Sequence, residues 1–101
     1  MAVEKSTKGG VNTLVTAMAK DLGRYGIQVN CLIPGPVDTQ QFRDFISSHS
    51  DREQAMADAV DSMILKRIGT PADVAKAAVF LSSDDASWIT GIAMPVDGST
   101  S

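Results

Sequence analysis

Between Lys5 and Arg24 the apolar residues Val11, Leu14, Val15, Met18 and Leu22 recur at i, i+3, i+4, i+7 and i+11. That period draws one apolar stripe along a helix and predicts that the stripe is buried. Gly23 and Gly26 supply the stop. The period then changes: Ile27-Gln28-Val29-Asn30-Cys31-Leu32-Ile33 is short and rich in branched apolar residues, and it is closed by Pro34-Gly35-Pro36. It reads as a buried strand ending in a sharp turn.

Residues 37–69 form a polar, helix-prone stretch carrying Phe42, Phe45, Ile46, Met56, Val60, Met63, Ile64 and Leu65. Ser50-Asp51-Arg52-Glu53 has the form of a capping box and predicts a helix starting near Asp51. Thr70-Pro71-Ala72-Asp73 combines a Thr N-cap, Pro at the first helical position and an acid in the first turn. Val74, Ala75, Ala78, Val79 and Leu81 carry that helix to about Ser82. Ile92-Ala93-Met94-Pro95-Val96 predicts a last short strand, which Pro95 confines to a sheet edge or strand end because it cannot donate to a ladder. Asp97-Gly98 then turns the chain. Strand, long excursion, helix, strand is a parallel crossover unit, which is right-handed as a rule.

Two strands are too few for a parallel sheet to stand alone. The pattern is therefore that of the second half of a doubly wound α/β sheet, with two strands and three to four helices. At 101 residues the chain has the size of one small domain or part of a larger one. With 44% hydrophobic and 21% charged residues it is not a disordered chain. A net charge of -3 without a Lys/Arg cluster speaks against a nucleic-acid or anionic-membrane partner. No apolar run approaches the roughly 20 residues of a membrane span, and the opening Met1-Ala2-Val3-Glu4 is unlike a signal peptide. A lone Cys31 forms no internal disulfide and begins no Cys-based zinc site. The expectation is a cytoplasmic protein with a structural thiol.

The candidate chemistry lies in two places. Glu4 and Lys8 stand four apart near the start of the first helix, on one face, and Lys8 is followed by Gly9-Gly10-Val11. The second is Asn30-x-x-x-Pro34-Gly35-x-Val37-x-Thr39, a turn at the carboxyl end of a predicted strand, where open parallel sheets bind ligands. His49 has no second His, Cys or nearby nucleophile and is read as a surface-loop residue. Asp51, Asp58 and Asp61 have no basic or metal-binding partner spaced to join them and are read as a solvated helix face. No metal site is expected.

These motifs, with Arg67-Ile68-Gly69-Thr70-Pro71-Ala72-Asp73, Trp88-Ile89-Thr90-Gly91 and Val96-Asp97-Gly98, resemble the short-chain dehydrogenases/reductases. The resemblance runs from about Ser6 to Ser99. It is nearest to the group holding 3-oxoacyl-carrier-protein reductases and glucose or sugar-alcohol dehydrogenases. It implies residues 1–101 as the C-terminal part of a Rossmann-like domain without its N-terminal dinucleotide-binding half. It also implies NAD or NADP as cofactor, with a Tyr and a Lys one helical turn apart as the catalytic pair.

In that scheme Lys8 grips the nicotinamide ribose and tunes the phenol. Pro34 and Gly35 line the ring, Val37 offers backbone groups to the carboxamide, and Thr39 offers its hydroxyl. The stretch 40–65 corresponds to the substrate loop, where residues such as Phe42 and Met56 would shape the pocket, but Phe and Met at helical spacing are more often core than ligand contact and are assigned no site role.

The Tyr position holds Glu4. A phenol starts near pKa 10 and a cation tunes it toward neutrality, whereas a carboxyl starts near 4.3 and the same cation pushes it lower. Glu4 is thus a poor proton donor and reads as non-catalytic, with an unusual general base as the other possibility. The family's Gly-rich phosphate turn, ribose selector, Asn-Ala-Gly motif and catalytic Ser have no counterpart here. The resemblance therefore implies an NAD(P)-dependent oxidoreductase by family that binds cofactor weakly and has little or no activity as this chain alone. The second function open at this point is a non-catalytic protein that self-associates as a homo-oligomer or docks on a full-length relative.

Overall fold

The computed structural model describes the backbone of residues 2–99 and the side chains of residues 9–99. Helix α1 runs Ala2–Gly23, strand β1 Cys31–Pro34, α2 Gln40–Ser47, α3 Arg52–Asp61, α4 Pro71–Leu81 and strand β2 Ala93–Val96, with one 3-10 turn at Asp84–Ala86. The α/β class and the two-stranded parallel sheet agree with the sequence pattern. Cys31 N–H donates to Ile92 O at 2.9 Å and Gly35 N–H to Val96 O at 3.2 Å. The pairing thus advances four residues in the same direction on both strands, as a parallel ladder must.

The chain forms two compact units, residues up to 32 with 79–94, and residues 33–78 with those from 95 onward. In the first, α1 stops where Tyr25 and Ile27 N–H return to Leu22 O at 3.0 and 3.3 Å, and Gly26 takes φ +76°. A positive φ is what glycine supplies without steric cost. The stripe on α1 is buried only in part. Val15 and Ala19 are buried, whereas Leu14 is 60% exposed and Met18 is also exposed. Packing selects the Ala19 side because Gly91 comes close to it: a Cβ on Gly91 would lie 3.3 Å from Ala19 Cβ.

The predicted strand from Ile27 shortens to Cys31–Pro34, for a reason visible in its polar residues. Gln28 Nε2 donates to Ala86 O and Ile89 O at 2.6 and 2.7 Å, and Asn30 Nδ2 donates to Ile89 O at 3.2 Å. Val29 N–H donates to the Thr90 hydroxyl at 3.0 Å, and Ile92 N–H to Asn30 Oδ1 at 3.3 Å. Side chains supply most of the bonds over these residues, beside one backbone bond from Gly91 N–H to Val29 O at 2.7 Å, so regular pairing begins at Cys31.

In the second unit Ile46 and Met63 are the buried apolar side chains among the described residues. Ile64 and Leu65 N–H donate to Ser99 O and Gly98 O at 3.0 and 3.1 Å. Helix α3 begins as expected near Asp51, but the cap is shifted by one residue from the Ser50–Glu53 box. Asp51 is the N-cap, and its Oδ1 accepts from Gln54 N–H at 3.0 Å. A carboxylate accepts more strongly than a hydroxyl, which favours Asp51 over Ser50. The Thr70 start of α4 is as read from the sequence.

Candidate functional site

β1 ends at Pro34, which has no N–H to place in the ladder. Gly35 comes next, and its missing side chain has a definite use. A Cβ there would lie 2.5 Å from Asp97 Cβ and 2.8 Å from Asp97 Cα. Gly35 is therefore required by the chain's own Asp97-Gly98 turn, whatever ligand lies beyond it.

The turn is tied next to the segment leading into α4. Val37 and Gly69 form an isolated parallel bridge. Gly69 N–H donates to Pro36 O at 3.0 Å, and Asp38 N–H donates to Gly69 O at 2.8 Å. Val37 O accepts from Thr39 N–H at 2.7 Å. Flanked in this way, Val37 keeps an N–H that has no partner among the described residues, and an unpaired backbone donor seeks an acceptor.

Thr39 is the N-cap of α2, with extended φ of -118° and ψ of 167°. Its Oγ1 accepts from Phe42 N–H at 3.2 Å. That bond uses the oxygen and leaves the hydroxyl hydrogen available to donate. Asp38 beside it is clamped by Arg43, with Nε to Oδ1 at 2.8 Å and Nη2 to Oδ2 at 3.2 Å. The Arg43 hydrogen bonds, with a smaller contribution from its charge, hold the Asp38 carboxyl below the usual range.

A second ion pair lies on the far side of Gly69. Arg67 Nη1 donates to Asp73 Oδ2 at 2.7 Å and Nη2 donates to Oδ1 at 3.2 Å. Asp73 Oδ2 also accepts from Thr70 N–H at 2.8 Å and from the Thr70 hydroxyl at 3.1 Å, while Asp73 N–H returns to Thr70 Oγ1 at 3.2 Å. This is a reciprocal capping box extended by a guanidinium fork. Arg67 first, then the Thr70 backbone N–H, holds the Asp73 carboxyl far below the ordinary carboxylate range.

Pro34, Gly35, Val37 and Thr39 thus follow one another from the end of β1 to the N-cap of α2. Glu4 and Lys8 lie on the α1 backbone, and their side chains fall outside the described residues. His49 is exposed, with Nδ1 2.9 Å from Phe45 O and its ring edge-on to Phe45. The solvated acidic face needs correction at Asp61, because Lys66 Nζ reaches its carbonyl at 2.6 Å and its carboxylate at 3.4 Å. Lys66 is brought there by a left-handed residue conformation, φ 55°, that sequence spacing does not reveal. Met56 lines a shallow groove of about 640 Å³ with Ile46, Ala57 and Val60, rimmed by Arg52 and Lys66.

Asp97, Gly69 and the Arg67–Asp73 pair support the turn but were not singled out as site residues. The Thr-Pro-x-Asp signature was the available signal for Asp73. The contact of Asp97 with Gly35 spans 62 positions and leaves no local signal.

A parallel pair with a Pro-Gly turn at a strand's carboxyl end is an α/β arrangement of the kind that places ligands beyond its strand ends. The sequence model of the Enoyl-(Acyl carrier protein) reductase family matches residues 1–100, and the chain belongs to this family of short-chain dehydrogenases/reductases. Among curated relatives it is 39% identical over 93 residues to mouse (Mus musculus) L-fucose dehydrogenase, covering 92% of this chain and 34% of that protein. The crystal structure of a short chain dehydrogenase family protein from Francisella tularensis superposes with a TM-score of 0.82 at 32% identity, over 90% of this chain and 40% of the other. YwfH, an NADPH dependent reductase involved in bacilysin biosynthesis, superposes with a TM-score of 0.81 at 28% identity, over 89% of this chain and 36% of the other. The chain spans about a third of the length of the curated relatives it matches.

Proposed function

We propose that this chain carries the nicotinamide-facing turn of an NAD(P)-dependent oxidoreductase that interconverts a carbonyl and an alcohol. The observation that supports this most is the state of Val37 and Thr39. One presents a backbone N–H without a partner among the described residues, and the other a hydroxyl whose oxygen already accepts a bond. Both can donate, which suits a carboxamide oxygen and a neighbouring phosphate or ribose oxygen. A bound nicotinamide would supply or accept the hydride. Pro34 adds a flat apolar surface without a competing donor.

By the family resemblance Lys8, a residue of α1, would be the cation that holds ribose. Glu4 supplies no phenol, so proton donation to a carbonyl oxygen has no group at the family's usual place. The 101 residues also contain no Gly-rich phosphate turn, and a pyrophosphate bound at such a turn and its helix N-terminus anchors a dinucleotide. Weak binding and little or no turnover by this polypeptide alone are the result. Calorimetric titration with NADH and NADPH should show no saturation below the millimolar range, and micromolar affinity would refute the weak-binding reading. Glu4→Tyr should not by itself produce carbonyl reduction; measurable turnover by that variant would refute the inactivity.

The second reading is a self-associating or docking protein, homo-oligomeric or paired with a full-length relative. Trp88 supports it, being 98% exposed, since large aromatic side chains are enriched at protein–protein interfaces. A sharp monomer in sedimentation velocity across micromolar concentrations would count decisively against it.

A further inference from the structure

We propose that Asp73 is a positioning residue for the Pro34–Thr39 turn, acting through Arg67, Thr70 and Gly69. Its functional meaning rests on the reading of that turn as the nicotinamide contact; its mechanical part does not. Gly69 is the residue that pins the turn, since its N–H and carbonyl bond Pro36 O and Asp38 N–H on either side of Val37. These two bonds set where the free Val37 N–H stands.

Gly69 is itself held by Asp73 from both flanks. Thr70, directly after it, gives Asp73 Oδ2 a backbone N–H at 2.8 Å and a hydroxyl at 3.1 Å. Arg67, two residues before it, closes on both carboxylate oxygens at 2.7 and 3.2 Å. The carboxylate also lies against Gly69, where an added Cβ would be 3.7 Å from Asp73 Oδ2 and 3.4 Å from Pro36 O.

A helix cap alone would account for the Thr70 bonds. It would not account for the Arg67 fork, which contributes nothing to the first turn of α4 but fixes the approach of residues 67–70 to the turn. Bidentate Arg–carboxylate pairing adds geometric restraint that a single bond lacks. The Asp38–Arg43 pair, by contrast, joins the turn to α2 and does not reach Gly69.

The test is amide hydrogen exchange in the 101-residue chain and in Asp73→Asn, Asp73→Glu and Arg67→Gln. Ile64 and Leu65 amides serve as reference, because they bond Ser99 O and Gly98 O outside the network. Asp73→Asn and Arg67→Gln should each speed exchange at Asp38 and Gly69 on the order of tenfold, as loss of one hydrogen bond to a charged group does. Ile64 and Leu65 should keep their rates, and Asp73→Glu should restore protection at Asp38 and Gly69.

Unchanged exchange at Asp38 and Gly69, or an equal rise at all four amides, would overturn the proposal. Arg67→Gln leaves the Thr70 cap intact, so a failure of Asp73→Asn to fold does not remove the test. NADH-induced shifts at the Val37 amide of the unaltered chain are measured separately. Their absence would fail the nicotinamide reading, while the exchange rates still decide the role of Asp73.

Discussion

At the scale of single residues, Gly35 shows how a position read as ligand-facing has a prior structural duty. Sequence reasoning found the Pro-Gly turn from its residue types, but the neighbour that demands glycine is Asp97. Gly35→Ala should destabilise the chain by about 1–3 kcal/mol, the usual range for overpacking, with or without cofactor. The midpoint of urea unfolding measures this, and Asp97→Gly in the same chain should recover part of the loss by removing the Cβ at 2.5 Å while leaving the backbone at 2.8 Å.

Asp73 and Asp38 make a pH prediction. Both carboxyls are depressed by arginine partners. A depressed carboxyl binds protons more readily when unfolded, so its contribution to stability is complete above the unfolded pKa of about 4 and is lost as pH falls further. The urea midpoint should hold steady from pH 8 to about 5 on account of these groups and fall below about 4. Asp73→Asn should flatten that fall. An unaltered acid limb in this variant would contradict the assignment of the shift to Asp73.

At the scale of elements, α1, α3 and α4 were legible, α2 was not set apart within the helix-prone stretch, and the strands are shorter than the sequence suggests. The starts of α3 and α4 carry side-chain caps, Asp51 and Thr70, whose chemistry is local and therefore visible in sequence. Strand β1 was overextended because Ile27, Val29 and the residues after them are β-formers, while the decisive interactions come from Gln28 and Asn30. Those side chains take the carbonyls of Ala86 and Ile89, partners about 60 positions away that no periodicity reveals. Asn30→Ala removes two such bonds, to Ile89 O and from Ile92 N–H. It should lower stability by about 1–3 kcal/mol and speed exchange of the Cys31 and Ile92 amides, whereas loss confined to other amides would contradict the side-chain ladder.

The same contrast explains the apolar stripe of α1. Its period correctly announced a helix, but periodicity does not say which neighbours exist to cover the face. Ala19, which is not among the stripe residues, is buried and Leu14 is exposed; the close approach of Gly91 favours a small side chain at Ala19.

At the scale of the molecule, the buried apolar side chains among the described residues are Val15, Ala19, Ile46, Met63 and Ala86. Three of these are alanine or valine, so the fully buried side chains among the described residues contribute little apolar area. Leu14, Tyr25, Ile27, Val79, Phe80 and Trp88 are exposed at the same time. Sedimentation velocity should therefore show concentration-dependent association in the micromolar range, and Trp88→Ser should weaken it. A single sharp monomer species with strongly cooperative unfolding would contradict this. No helix among the described residues is long and apolar enough to cross a membrane.

Family membership was readable because the Pro-Gly turn, the Thr-Pro-x-Asp helix start and the Trp-Ile-Thr-Gly and Asp-Gly segments are each local patterns. What holds the turn in place was not, since Gly69, Asp73 and Asp97 act on it over long sequence separations. The central claim is that this turn meets nicotinamide through the Val37 N–H and the Thr39 hydroxyl. It is tested most directly by recording amide chemical shifts of the chain during titration with NADH. Shift changes that concentrate at residues 35–39 and approach saturation only in the millimolar range are the predicted result; silence at the Val37 and Thr39 amides up to the highest soluble concentration would contradict it.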